Sequence, residues 1–194
     1  MVPTHPIDTK GRSVILVGLM GCGKTTVGKA LSMRTGLPLL DTDAVIEEQY
    51  KKPIPRIFAE EGEQTFRNLE TALLRYLYDS RGTQPPAIIS TGGGIILRQE
   101  NRRILRHLGY VVWLNVAVSA LLSRTAHAAN RPLLEVADRR ATLLNLLHQR
   151  RPLYEETAHL RLNTTRMDVK SVVHDICRRA DRFFAPLTPL KPRP

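Results

Sequence analysis

SVILVGLMGCGKTT, residues 13 to 26, decides the fold. The segment SVILV reads as a buried strand, since four apolar residues follow one serine. After it, Gly18, Gly23, Lys24 and Thr25 fit the spacing G-x-x-x-x-G-K-[ST] of a phosphate-binding loop. Backbone N–H groups grip a polyphosphate, so such a loop must turn tightly without side chains in the way. The loop feeds a helix expected over residues 24–35, whose N-terminus carries partial positive charge. At this offset Lys24 reaches the β- and γ-phosphates, and the Thr25 hydroxyl holds Mg²⁺. A plain glycine turn explains the glycines but not the Lys-Thr pair. The loop alone does not say what receives the phosphate.

At 194 residues the chain fits one α/β domain with a full core. It lacks a run of about 18 apolar residues, so no membrane span is expected. Residues 1–12 read as a short loose tail and not a signal peptide. Residues 185–194, APLTPLKPRP, carry four prolines and are expected to be disordered. Cys22 and Cys177 are too few for a disulfide framework and fit a reducing cytoplasm. The formal charge of +11 raises the question of nucleic acid. Basic residues cluster in RQENRRILRH (98–107) and CRRADR (177–182), which read as solvated helix faces. Aromatic residues are only 5 % of the chain and no nucleic-acid motif occurs, so no nucleic-acid partner is expected.

Strands are expected at 13–18, 37–41, 87–91, 110–116 and 159–163. Helical patterns fall at 24–35, 43–50, 55–60, 63–79, 98–107, 118–126, 136–150 and 168–184. This alternation predicts a five-stranded parallel sheet covered by helices on both faces, a three-layer α/β/α domain over residues 13–184. Ligands of such sheets bind beyond the carboxyl ends of the strands. Chemistry-bearing residues duly follow the strands: Asp41 and Asp43 in DTD after the second, Gly92, Gly93 and Gly94 after the third. Arg67 and Glu70 lie one helical turn apart in GEQTFRNLE, and Arg131 and Arg150 precede prolines in NRPLL and RRPLYEE. A phosphate loop, two carboxylates, a second glycine loop expected to be flexible and several arginines suit phosphoryl transfer to a small polar molecule.

The ordered set GLMGCGKTT, LLDTD, IFAEEGEQTFRNLE, ISTGGG, NRPLL and RRPLYEE resembles shikimate kinase from about Ser13 to Arg179. The resemblance implies a nucleoside-monophosphate-kinase-like fold with strand order 2-3-1-4-5. It implies ATP-dependent transfer to the 3-hydroxyl of shikimate, within aromatic amino-acid biosynthesis. By resemblance, Gly21, Cys22, Gly23, Lys24, Thr25 and Thr26 face the ATP phosphates, with Mg²⁺ on Thr25 and near Asp41. Asp43 would hold the ring hydroxyls, and Arg67 and Arg150 the carboxylate. Gly93 would offer its N–H to substrate, between Gly92 and Gly94. Arg131 would act from a mobile lid over about residues 123–136, and Arg124 would stack on adenine. Cys22 is expected to make the enzyme sensitive to thiol reagents.

Blander roles are open for several of these residues. Asp41 could cap the next helix, Arg67 and Glu70 could be a surface pair, and Arg150 and Arg151 could complement a helix end. Trp113 is expected in the core. The competing functions are a kinase of another acceptor, such as gluconate or a nucleoside monophosphate, and a nucleotide-binding module without kinase activity. Paired arginines with Asp43 favour a carboxylated polyol over a nucleobase. A monomer is the expected state.

Overall fold

The computed structural model describes residues 6–125 and 138–186. Five parallel strands form the sheet: β1 (Ser13–Val17), β2 (Leu39–Asp41), β3 (Ile88–Ser90), β4 (Gly109–Asn115) and β5 (Leu160–Asn163). Their order is β2-β3-β1-β4-β5, the implied 2-3-1-4-5. β1 and β4 pair along their length, from Ser13 with Gly109 to Val17 with Trp113. Both are central and almost wholly buried, so both read as continuous apolar runs. β5 lies at an edge and alternates buried with exposed residues.

The helices are α1 (Lys24–Thr35), α2 (Thr42–Tyr50), α3 (Ile54–Asp79), α4 (Gln99–Leu108), α5 (Val118–Thr125), α6 (Arg139–Thr157) and α7 (Val169–Phe184). α1 packs with α7, and α4 packs with α3 and α6. Trp113 is buried in the core and stacks on Tyr154 with ring centroids 5.4 Å apart. A smaller cluster of Ile46, Ile57, Phe66 and Leu73 joins α2 to α3.

Beyond shifts of one to three residues at element ends, three features differ from the sequence reading. The helices expected at 55–60 and 63–79 are joined in α3, with a break at Gly62 (φ 84°, ψ 165°). α6 does not stop before Pro152 but runs through it to Thr157. Proline removes one helical hydrogen bond and disfavours helix at the preceding residue. Burial of Tyr154 beyond it outweighs that local preference. Arg150 therefore sits within a helix and complements no helix end. The expected loose tail is also too long: Ile7 and Thr9 are buried, and the Arg12 guanidinium lies 5.1 Å and 5.0 Å from the Phe183 and Phe184 rings. Residues 187–194 and most of the expected lid, 126–136, lie outside the described residues.

Candidate active site

The phosphate half forms where β1 turns into α1. Gly23 caps α1 in the left-handed region (φ 98°), with no side-chain cap and no acidic residue in the first turn. The helix N-terminus is thus left bare for an anion. Lys24 Nζ folds over the loop, donating to the carbonyls of Gly18 (2.8 Å) and Leu19 (3.1 Å). Thr26 is exposed in the first turn of α1. The Cys22 side chain is buried in the core, so only its backbone belongs to the cradle. That burial overturns the expected sensitivity to thiol reagents, because the thiol is not presented to solvent. Arg124 is exposed on the last turn of α5, beside Thr125. A Cβ on Gly21 would meet the Thr125 methyl at 2.6 Å, so α5 abuts the loop. Arg131 lies outside the described residues.

Thr25 Oγ1 donates to Asp41 Oδ2 at 3.0 Å and lies 3.5 Å from Ser90 Oγ. These are hard oxygen donors with a single carboxylate, which suits Mg²⁺ carried in with phosphates and waters. Asp41 also caps α2, its Oδ1 accepting from the Asp43 N–H at 3.1 Å. The capping role is thus present on the same side chain that accepts from Thr25.

A cavity of about 300 Å³, the candidate acceptor half, continues from this point. It brings together Gly21, Lys24, Thr25, Asp41, Asp43, Arg67, Gly92, Gly93, Gly94 and Arg150 from five parts of the chain. Arg67 is buried and is no surface pair: Nη1 donates to Glu70 Oε2 and Nη2 to Glu63 Oε1, both at 2.7 Å. Glu70 is completely buried, and burial pushes its carboxyl up to about 7 despite the Arg67 charge. Burial, helped by the Asp41 charge and opposed by Lys24, raises Asp43 to about 6. Asp43 Oδ1 and Glu70 Oε1 are both buried without a hydrogen-bond partner. Such oxygens are costly unless a ligand donates to them.

The second glycine loop is not glycine-rich for flexibility. A Cβ on Gly92 would lie 2.7 Å from Asp43 Oδ1 and 2.8 Å from Glu70 Oε1. One on Gly94 would lie 2.6 Å from Arg67 Cζ. Glycine is needed because the functional groups rest flat on the backbone. Gly93 instead faces the phosphate loop, where an added Cβ would lie 3.3 Å from the Met20 nitrogen, and joins the two halves. Its carbonyl accepts from Tyr154 Oη (2.7 Å) and Arg150 Nη1 (3.2 Å).

Sequence reasoning passed over Tyr154 as an anchor and Ile54, Phe58 and Phe66 as cavity wall. Tyr154 was visible only as one letter of RRPLYEE. The two phenylalanines, 5.0 Å apart by ring centroids, could not be told from core residues by periodicity.

The family model for shikimate kinase matches residues 20–181. A shikimate kinase of Chromobacterium violaceum is 45% identical over 158 residues, 81% of this chain and 84% of that protein. One from Thioalkalivibrio sulfidiphilus is 42% identical over 170 residues, covering 88% and 87%. Among solved structures, shikimate kinase from Acinetobacter baumannii in complex with shikimate superposes with a TM-score of 0.81 at 39% identity, covering 87% of this chain and 92% of that one. A gluconokinase from Sinorhizobium meliloti, at 17% identity and a TM-score of 0.56, shares the fold alone. The chain belongs to the shikimate kinase family.

Proposed function

We propose that this chain transfers the γ-phosphoryl group of ATP to the 3-hydroxyl of shikimate, giving shikimate 3-phosphate for aromatic amino-acid biosynthesis. One observation carries the reading. Two buried arginines, Arg67 and Arg150, and two carboxyls, the half-buried Asp43 and the buried Glu70, line one cavity beside the phosphate loop. That set asks for a ligand with a carboxylate and several hydroxyls. The relatives named above, and the neighbour holding shikimate, support the same acceptor.

Arg67 and Arg150 bind the acceptor carboxylate, for which a planar guanidinium fork is well shaped. Asp43 accepts from ring hydroxyls, and Glu70 holds the Arg67 guanidinium in place. Asp43 aims the reacting hydroxyl and takes its proton as the new O–P bond forms and the bond to the ADP oxygen breaks. Lys24 and the α1 N-terminus hold the phosphate oxygens, and Arg131 acts there by the family resemblance. Thr25 and Asp41 would hold Mg²⁺, which supplies charge neutralisation on the phosphates when bound. Arg124 contacts the adenine side. Gly92, Gly93 and Gly94 line the acceptor. The reading takes the chain as a cytoplasmic monomer. No helix among the described residues is long and apolar enough to cross a membrane.

The test is a comparison of kcat and KM for both substrates in Arg67→Ala, Arg150→Ala and Asp43→Asn. The arginine variants are expected to raise KM for shikimate about ten- to a hundredfold and leave that for ATP unchanged. Asp43→Asn should lower kcat and weaken shikimate binding together. Equal weakening of both substrates in the arginine variants refutes the acceptor assignment.

A further inference from the structure

The basic run at 98–107 reads in the sequence as a solvated helix face, but the structure divides it. Arg103, Arg106 and His107 are exposed, whereas Asn101 and Arg102 are buried and Arg98 is half-buried. Arg98 Nη1 donates to the Arg67 carbonyl (2.9 Å) and to Thr71 Oγ1 (3.0 Å). Its Nη2 donates to Asn68 Oδ1 at 2.7 Å. Arg102 Nη1 donates to the carbonyls of Ile96 (3.0 Å) and Leu97 (3.2 Å), and its Nε pairs with Glu156 at 3.0 Å.

These contacts meet three pieces of the acceptor half. Arg98 grips α3 at the residue that carries the Arg67 guanidinium. Arg102 grips the 3₁₀ turn Ile95–Leu97, which directly follows Gly94. The same guanidinium reaches α6 at Glu156, about one and two-thirds turns beyond Arg150. Three consecutive glycines have no side chains with which to anchor themselves, and a short 3₁₀ turn leaves carbonyls to be satisfied. Gly94 lies in contact with the Arg67 guanidinium, so a small drift of this strap displaces that group.

We propose that Arg98 and Arg102 are positioning residues for the acceptor. They fix the separation of Arg67 and Arg150 by tying both parent helices to the strap after the glycine loop. The inference rests on the assignment of Arg67 and Arg150 to the acceptor carboxylate.

The test uses Arg98→Gln, Arg98→Lys and Arg102→Gln in the full chain, and Arg98→Gln combined with Arg67→Ala. Rates are measured against shikimate and ATP, with thermal melting alongside. Arg98→Gln and Arg102→Gln are expected to raise KM for shikimate about three- to thirtyfold, from one or two lost hydrogen bonds, while KM for ATP stays within about twofold. Arg98→Lys, which keeps a donor, should fall between wild type and Arg98→Gln, and it carries the test if the Gln variant fails to fold. In the Arg67→Ala background Arg98→Gln should add less than about twofold, because residues acting through one group are not additive. A purely structural role would lower the melting temperature and leave KM for shikimate unchanged, which overturns the inference. So does an undiminished Arg98→Gln effect in the Arg67→Ala background. If Arg67→Ala alone leaves KM for shikimate unmoved, the acceptor assignment itself fails, and the inference falls with it.

Discussion

Gly94→Ala isolates one contact. Gly94 has φ −100° and ψ −1°, which alanine adopts without strain, so any effect comes from the added methyl group. That methyl would sit 2.6 Å from Arg67 Cζ, where carbon atoms prefer about 3.5–4.0 Å. The guanidinium must retreat by about 1 Å. It cannot do so freely, because Glu63 and Glu70 hold it with two bonds of 2.7 Å. A retreat of that size pulls at least one of these bonds, or the bond to substrate, beyond the range of about 2.7–3.2 Å. Losing one charge-assisted bond costs about 1.5–3 kcal/mol, or roughly ten- to a hundredfold in acceptor affinity. An added Cβ points at the phosphate loop from Gly93 but at Arg67 from Gly94, so ATP binding should be spared. Initial rates with each substrate varied in turn measure both effects. A Gly94→Ala enzyme whose KM for shikimate stays within about twofold of wild type refutes the argument, since a tenfold loss is the least that one such bond implies.

Lys24→Ala should abolish turnover with little change in melting, because glycine conformations set the loop and Lys24 only lies across it; substantial residual kcat would show that its charge is dispensable. Tyr154→Phe removes the 2.7 Å bond to the Gly93 carbonyl, which keeps its longer bond from Arg150. It should cost about 1 kcal/mol, read as a fall of roughly 2–4 °C in Tm, and an unchanged melting curve would count against that anchor. His159 gives an acid limit: its Nδ1 accepts from the Val111 N–H at 3.0 Å, and burial with nearby Arg106 and Arg12 lowers its pKa to about 4. The unfolded chain binds a proton near pH 6.5 and the folded chain does not, so stability falls as pH drops from about 6.5 towards 4. His159→Gln should flatten that part of the stability curve; an unchanged slope in urea melts across this range would refute the assignment.

The phosphate half was legible because local rules govern it. A strand, a fixed glycine spacing and a helix opening on Lys24 are all neighbours in sequence, and α1 spans the expected residues. The parallel sheet followed from apolar runs, and its order from the family resemblance. The acceptor half was legible in its residue types but not in its logic. Nothing local says that Gly92 and Gly94 are glycine because Asp43, Glu70 and Arg67, from 22 to 49 residues away, rest on them. The same holds for the basic run of α4, where periodicity cannot separate an arginine facing water from one satisfying buried carbonyls. Pro152 misled for a related reason: a local helix-breaking preference lost to burial of Tyr154. The N-terminal segment misled because Ile7 finds its partners in the core and not among its neighbours.

We propose that this cavity selects a carboxylated polyol beside the phosphate loop. The most direct measurement is ADP formation by the purified chain with ATP and Mg²⁺, offered in turn shikimate, gluconate and nucleoside monophosphates, with the phosphorylated product identified. Turnover with shikimate alone, yielding shikimate 3-phosphate, is the predicted result. Turnover with gluconate or a nucleoside monophosphate that matches or exceeds that with shikimate would contradict it, as would no turnover with shikimate.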